Sequence, residues 1–512
     1  MMAAAPTAEG TNRVAITVCV ILATIMQALD TTIANIALPY IQGSVSASQD
    51  QINWVLTAYI VAAAIMIPTT GFLAGRFGRK RLFLVAVAGF TLASMLCGMA
   101  QSLVQIVLFR VLQGVFGAAL VPLSQSVLLD IYPKERQGFA MALWGIAVMV
   151  GPVLGPVLGG WLTETYTWRW VFYINLPIGA LAFVGITSFL PETARDIGAK
   201  LDWLGFCTLS LGIGALQVLL DRGEQLDWFG SGEILIEAIV AAAAFYVFFV
   251  HTFTADAPFV RPALFRDRNF AAGMAFIFVV GVTYLASLAL ITPYLQSLMN
   301  YPIVTAGLVL GPRGIGTMAA MMIVGRLVGQ VDTRLLLGVG LGLTAWSLYD
   351  MTGWTPDVSQ MTIMGNGLVQ GAGLGFLFVP LSAVTLGTLP PEQRTEGAGL
   401  YNLSRNIGSS VGISVVTSLL TQNTQANHAE IVQHVTAVNR VFENPAIAQF
   451  WNPATDAGRA ALDAMITRQA QIIAYIDDFK LLMIATLAVI PLLIVFKQAS
   501  ESGGRDHALA ID

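Results

Sequence analysis

Asp30 is the one acid that falls well inside an apolar stretch of this sequence, and Arg110, Arg313 and Arg405 are the deep basic residues. An ion at the centre of a bilayer costs at least ~2.5–3.5 kcal/mol, so such residues mark function by default. A buried carboxylate can carry a proton, because burial disfavours its charged form and a neighbouring guanidinium favours it. A guanidinium stays charged, so Arg110 is the partner expected to decide when Asp30 loads and releases. At helical spacing Asp30 shares a face with Gln27, Thr31 and Ala34, and Arg110 with Gln113, Gly114 and Gly117. Two readings fit this spacing: a proton carrier with a mobile cationic partner, or a static Asp30–Arg110 pair that orients helices.

Other chemistries find little support. The four histidines, His251, His428, His434 and His507, lie outside the apolar centres, and no H-E-x-x-H occurs. No catalytic residue, metal ligand set or cofactor site is therefore expected, and the chain reads as a non-enzyme. No G-x-x-x-x-G-K-[ST] phosphate loop appears, which argues against a primary pump. The net charge of -4 leaves no basic footprint for nucleic acid. Cys19, Cys97 and Cys207 stand alone in apolar runs and read as small packing residues.

The elements that must position Asp30 and Arg110 follow from composition. The chain is 56% hydrophobic and 11% charged, which is a membrane composition. A span needs ~20 apolar residues. Candidates fall near 14–38, 53–73, 81–100, 103–129, 137–162, 169–190, 202–220, 233–253, 270–298, 303–327, 334–351, 360–388, 396–421 and 479–497. The expected fold is thus all-α and integral to the membrane, with fourteen transmembrane helices. Arg76, Arg79, Lys80, Arg81, Lys134, Arg136, Arg195 and Lys200 fall in loops of one side, while the short loops opposite carry Arg169 and Arg222. That asymmetry places both termini in the cytoplasm.

A long-period repeat divides the chain. "GFLAGRFGRKRLFL" (71–84) is similar to "GRLVGQVDTRLLLG" (325–338), and "LQGVFGAALVPLS" (112–124) to "VQGAGLGFLFVPLS" (369–382). Two six-helix bundles, 1–195 and 266–512, are expected to flank two extra spans in 196–265. Duplicated halves around a midplane cavity are a transporter architecture. The repeat gives Arg110 no counterpart, since the matching position lies near Gly367. The segment 422–477 is polar, with Ile431, Val435, Val438 and Phe442 at helical spacing, as are Leu462, Met465, Ile466, Ile472, Ile473 and Ile476. It reads as helical and periplasmic, either a packed lid or a docking surface for a partner. In "GPVLGPVLGG" (151–160), Gly151, Gly155 and Gly159 line one face, and Pro152 and Pro156 each remove a helix hydrogen bond. A bent, glycine-faced hinge between the two halves is the expectation.

Several stretches together carry a resemblance. "WGIAVMVGPVLGPVLGG" (144–160) resembles the antiporter motif of the major facilitator superfamily. "LFRVLQGVFGAA" (108–119) and "LDTTIANIALP" (29–39) are similar to its fourth-span and first-span motifs. "WRWVFYINLPIG" (168–179) and the loop ending "TRQAQIIAYIDDFKLL" resemble the fourteen-span drug:proton antiporters of the EmrB/QacA-like branch, closest to its EmrB side. The resemblance covers nearly the whole chain. It implies proton-driven efflux of amphipathic organic compounds across a bacterial inner membrane, with a periplasmic membrane-fusion adaptor and an outer-membrane channel as partners. A substrate-specific proton-coupled exporter or symporter of a small metabolite is the alternative. Gly71, Arg76, Gly78, Arg79 and Lys80 match the cytoplasmic gate motif, but Gly75 stands where that motif commonly has Asp. The usual carboxylate lock is therefore in question. Gln27, Trp54, Tyr59, Gln113, Tyr284, Gln370, Asn402 and Arg405 are candidates for the substrate cavity.

Overall fold

The computed structural model describes residues 13–193, 195–196, 198, 200–435, 442, 444 and 450–496. Helices account for the apolar runs. In the first bundle these are α1 (Arg13–Val45), α2 (Trp54–Met66), α3 (Thr69–Phe77), α4 (Arg79–Met99), α5 (Leu103–Gly117), α6 (Leu120–Ile131), α7 (Gln137–Thr165) and α8 (Asn175–Phe189). The central pair is α9 (Trp203–Arg222) and α10 (Gly232–Thr254). The second bundle holds α11 (Arg268–Pro293), α12 (Ile303–Leu327), α13 (Thr333–Met351), α14 (Gln360–Gly387), α15 (Pro391–Gln433) and α16 (Asp456–Leu487). No strand occurs among the described residues.

Local sequence sets the ends. Ser102, Asp267 and Ser359 accept from the backbone N–H of Gln105, Phe270 and Thr362, capping α5, α11 and α14. Pro68 cannot continue the α2 hydrogen-bond ladder, and α2 and α3 meet at a bend of 58°. Pro152 and Pro156 lie inside α7 without ending it.

Ten helices among the described residues are long and apolar enough to cross a membrane, or eleven if the bent α2–α3 pair is one span. The three further expected spans coincide with α13, α15 and α16, which are less apolar. The outer part of α15 is the polar run "TQNTQANHAEIVQ", and α16 carries Asp477, Asp478 and Lys480. In the segment 422–477, α15 and α16 both extend outward, joined by a 2.9 Å contact between His428 and Asp463. Val438 and His507 lie outside the described residues.

The two bundles share one end. A continuous apolar cluster there runs from Val20 and Leu128 in the first bundle to Phe270, Met321 and Leu386 in the second. At the opposite end each bundle has its own cluster, around Ile33, Val55 and Phe172 in the first and around Leu290, Tyr294 and Phe479 in the second. The shared end also bears Arg79, Asp130 and Arg394.

Candidate functional site

The structure brings Asp30 and Arg110 together in the buried centre of the first bundle. Arg110 Nη1 donates to Asp30 Oδ2 at 2.7 Å, and the two side chains are 1% and 0% exposed. Asp30 Oδ1 accepts from Gln113 Nε2 and Asn175 Nδ2, each at 2.8 Å. Arg110 also donates through Nη1 to Gln113 Oε1 at 2.8 Å and through Nε to the Val55 carbonyl at 3.0 Å. The Tyr59 ring lies 4.4 Å from the guanidinium carbon, and Gln27 donates to the Tyr59 hydroxyl at 3.2 Å.

Four helices, α1, α2, α5 and α8, thus converge on this network. The network joins a carboxylate, a guanidinium and two amides, of which Gln113 bonds to both charges. Gln113 recurs one turn after Arg110, so a single helix face supplies two of the contacts. Asn175 was missed as a site residue, although it lies in the quoted stretch "WRWVFYINLPIG". Its amide also donates to Ser94 Oγ at 2.9 Å, tying α8 to α4.

The cavity candidates separate into groups. Gln27, Tyr59 and Gln113 belong to the Asp30 network. Tyr284 and Gln370 line a small cavity in the second bundle with Arg313. Asn402 lies at the seam between the bundles, donating to Gln125 Oε1 at 3.0 Å. Arg405 lies with its guanidinium carbon 5.7 Å from the Phe378 ring centroid. Trp54 faces the central pair instead, 5.3 Å from the Arg222 guanidinium, beside a contact between Thr57 and Asp221.

The charge cluster at the seam is built on a different carboxylate from the one the gate motif commonly has. Asp130, at the end of α6, pairs with Arg79 and accepts from Arg394 Nη1 of the second bundle at 2.6 Å. Arg79 Nη2 reaches the Pro391 carbonyl at 2.6 Å, and Lys80 Nζ the Thr187 carbonyl at 2.7 Å. Gly78, with φ of 90°, turns the chain between α3 and α4. A Cβ at Gly71 would lie 2.6 Å from Glu396 Cβ on α15, so α3 and α15 meet there at backbone distance. With Gly75 lacking a carboxylate, Asp130 supplies the negative charge that joins the halves. Deeper in the seam, Trp144 stacks on Phe378 with centroids 5.5 Å apart. Tyr284 donates to Met149 Sδ at 3.7 Å. Among the described residues, the hydrogen bonds, ion pairs and ring contacts that join the bundles lie at this end or at mid-depth.

The glycine face of α7 is not between the halves. A Cβ at Gly151 would strike the Ala28 carbonyl, one at Gly155 the Thr32 hydroxyl, and one at Gly159 the Ile33 side chain, all on α1 of the same bundle. Thr32 Oγ1 donates to the Gly151 carbonyl at 2.9 Å. Pro152 is half-buried and Pro156 exposed, on other faces of the helix. Besides Trp144 and Met149, the α7 residues that meet the second bundle include Gly138, Ala142, Gly145 and Val153, against Val328 just past α12 and Gly325, Met321 and Gly314 of α12. Small residues recur along both faces, and sequence spacing alone did not say which neighbour each would meet.

A second acid is also deep. Asp478 is 1% exposed, and neither carboxylate oxygen has a hydrogen-bond partner among the described residues. Asp30 is therefore not the only deeply buried carboxylate. Asp478 precedes the apolar run 479–497 by one residue, and α16 continues past it to Leu487, which explains why its depth was not read from the sequence.

Residues 20–421 match the family model described as Major Facilitator Superfamily. The chain is 35% identical over 504 residues to the fatty acid resistance protein FarB of Neisseria gonorrhoeae, covering 98% of this chain and 99% of that protein. It is 36% identical over 506 residues to the multidrug export protein EmrB of Haemophilus influenzae, covering 98% of each. Among solved structures, the human organic anion transporter TETRAN superimposes with a TM-score of 0.58 at 16% identity, over 93% of this chain and 99% of that one. The proton:xylose symporter XylE gives 0.58 at 14% identity, over 92% and 96%.

Proposed function

Because this chain belongs to the Major Facilitator Superfamily, in an EmrB-like group of multi-pass proteins of the bacterial inner membrane, we propose that it exports amphipathic organic compounds in exchange for protons. The observation that carries the coupling is the Asp30–Arg110–Gln113–Asn175 network. A carboxylate shut away from both sides, with a single cationic partner, is suited to taking up a proton when that partner moves. On this reading the fourteen expected spans form two six-helix bundles, 1–195 and 266–512, with 196–265 as the extra pair. Both termini lie in the cytoplasm, as the basic loops favour. The Arg79–Asp130–Arg394 end is then the cytoplasmic gate, closed here, and Gly71, Arg76, Gly78 and Lys80 shape the loop that holds it. The printed names of FarB and EmrB support fatty acids and drugs as the cargo.

The test is a substrate-panel susceptibility assay on cells lacking and overproducing the chain, paired with transport in everted vesicles carrying a pH gradient. Unchanged susceptibility together with no gradient-dependent uptake would overturn the reading. The outward extensions of α15 and α16 are the docking surface for a periplasmic adaptor leading to an outer-membrane channel. Deleting about residues 430–460 should spare vesicle transport and abolish resistance in cells with an outer membrane. Loss of vesicle transport as well would make the segment a lid of the transport core.

A further inference from the structure

The second bundle holds a buried cation that no acid among the described residues answers. Arg313 sits at mid-depth on α12 and is 4% exposed. Its Nη2 donates to Ser287 Oγ at 2.8 Å and to the Tyr284 carbonyl at 3.2 Å, and its guanidinium carbon lies 4.6 Å from the Tyr284 ring centroid. Nε and Nη1 are buried without an acceptor. None of the described ion pairs includes Arg313 or Arg405. The first bundle treats its arginine differently, since Arg110 is matched by Asp30.

The packing explains how the charge comes to be there. A Cβ at Gly371 would collide with the Arg313 carbonyl, and one at Gly367 would lie 3.5 Å from Arg313 Cβ. Those glycines of α14 let α12 approach closely. The repeat position equivalent to Arg110 is left small, and an arginine enters from the facing helix. Around it, Val280, Leu374 and Leu377 give apolar wall, and Thr283, Thr344 and Gln370 give polar edge. The Gln370 Oε1 atom is itself buried without a donor. An unmatched guanidinium in a site of low dielectric is costly until an anion arrives.

We propose that the Arg313 cavity receives the carboxylate of an amphipathic monoanion, such as a fatty acid or another lipophilic carboxylic acid, with Val280, Leu374 and Leu377 taking the start of its apolar chain. This rests on the export reading and narrows its cargo. A carboxylate accepts from the free Nε–H and Nη1–H, and charge-assisted bonds of this kind are the strong ones. A single positive charge matches a single negative one. The mid-depth position favours a ligand that can shed its charge while crossing lipid, which a carboxylic acid does by taking a proton. Phospholipid phosphate lacks that route.

The experiment measures binding of dodecanoate, methyl dodecanoate and dodecyltrimethylammonium to the full chain in nanodiscs, with transport of the same probes in vesicles. Dodecanoate should bind at least about tenfold tighter than its ester. Arg313→Gln should erase that preference while leaving ester binding in place, and Arg313→Lys should keep part of it. Equal binding of acid and ester by the unaltered protein would overturn the proposal whatever the variants do, as would a full preference retained in Arg313→Gln. Transport is read separately: a preserved preference in binding with no export of any probe would sink the export reading and leave the anion site standing.

Discussion

The charge inventory of the membrane interior predicts how each class of cargo should respond to voltage. One carboxylate, Asp30, is paired with a cation in the first bundle; in the second, Arg313 and Arg405 have no ion pair and Asp478 no hydrogen-bond partner among the described residues, and of these Arg313 lines a cavity. If Asp30 carries one proton inward per cycle and Arg313 holds a monoanion on its way out, two charges cross in the same electrical sense. Each charge is worth about 2.3 kcal/mol per 100 mV, so a monoanion gains roughly 4.6 kcal/mol of drive from 100 mV. A neutral cargo gains about 2.3 kcal/mol, and a monovalent cation exchanges electroneutrally and gains nothing. Every class gains ~1.36 kcal/mol per pH unit. The assay is steady-state accumulation in everted vesicles, with the voltage collapsed by a potassium ionophore at constant pH difference. Collapse of 100 mV should lower the limiting gradient by about three decades for a monoanion and about fifty-fold for a neutral compound, and leave a cation unchanged. A cation whose accumulation falls with the voltage would refute the one-proton count and require a second carrier. An anion insensitive to voltage would refute the unmatched-charge argument.

Asp30→Asn should abolish proton-coupled export while the protein stays folded in the membrane, because the amide cannot cycle a proton; uphill transport by that variant would falsify the assignment. Asp130→Asn removes the carboxylate that joins Arg79 to Arg394 and should raise labelling of a cysteine placed at Ser126 by an impermeant thiol reagent from the cytoplasmic side; unchanged labelling would show that the apolar seam alone holds the gate. Gly155→Leu drives a side chain into Thr32 on α1, and overpacking of ~1–3 kcal/mol should lower thermal stability and stall transport with substrate binding retained; normal transport would mean that α1 and α7 can separate freely. Asp478→Leu replaces an unpartnered buried carboxylate by an apolar group and should leave export intact with an unfolding temperature no lower than the parent's, whereas loss of export would identify Asp478 as the second proton carrier.

Much of this site was legible because the bilayer makes charge expensive. Asp30 and Arg110 are conspicuous in an apolar sequence, and their helix spacing already put Gln113 beside them. The family motif marked Arg79 as a gate residue for the same reason of charge next to glycine. What the sequence could not supply was partner choice. Asp130 ends a span and looks like an ordinary interfacial acid until Arg394 arrives from the other bundle. Arg313 reads as a deep cation, but only packing shows that nothing answers it. Asn402 reads as a cavity amide, and only packing shows that it donates to Gln125 across the seam. Gly151, Gly155 and Gly159 announced a close neighbour without naming it.

That neighbour ties the seam to the Asp30 network. Helix α7 uses one face, through Gly138 and Gly145, to meet α12 of the second bundle, and another, through Gly151 and Gly155, to meet α1. Gly151 abuts the backbone of Ala28, two residues before Asp30, and Thr32, two residues after it, donates to the Gly151 carbonyl. Contacts at backbone distance have no flexible side chain to absorb a displacement, and close-packed interiors transmit strain. A shift of α7 against α12 as the seam opens therefore bears directly on the turn of α1 that presents Asp30. The carboxylate is held to Arg110 on α5 and Asn175 on α8, so the same shift pulls it against partners fixed to other helices. The glycine face thus links the seam to Asp30, and on the proposed export reading it lets the conformation of the seam set whether Asp30 keeps its cation or takes a proton.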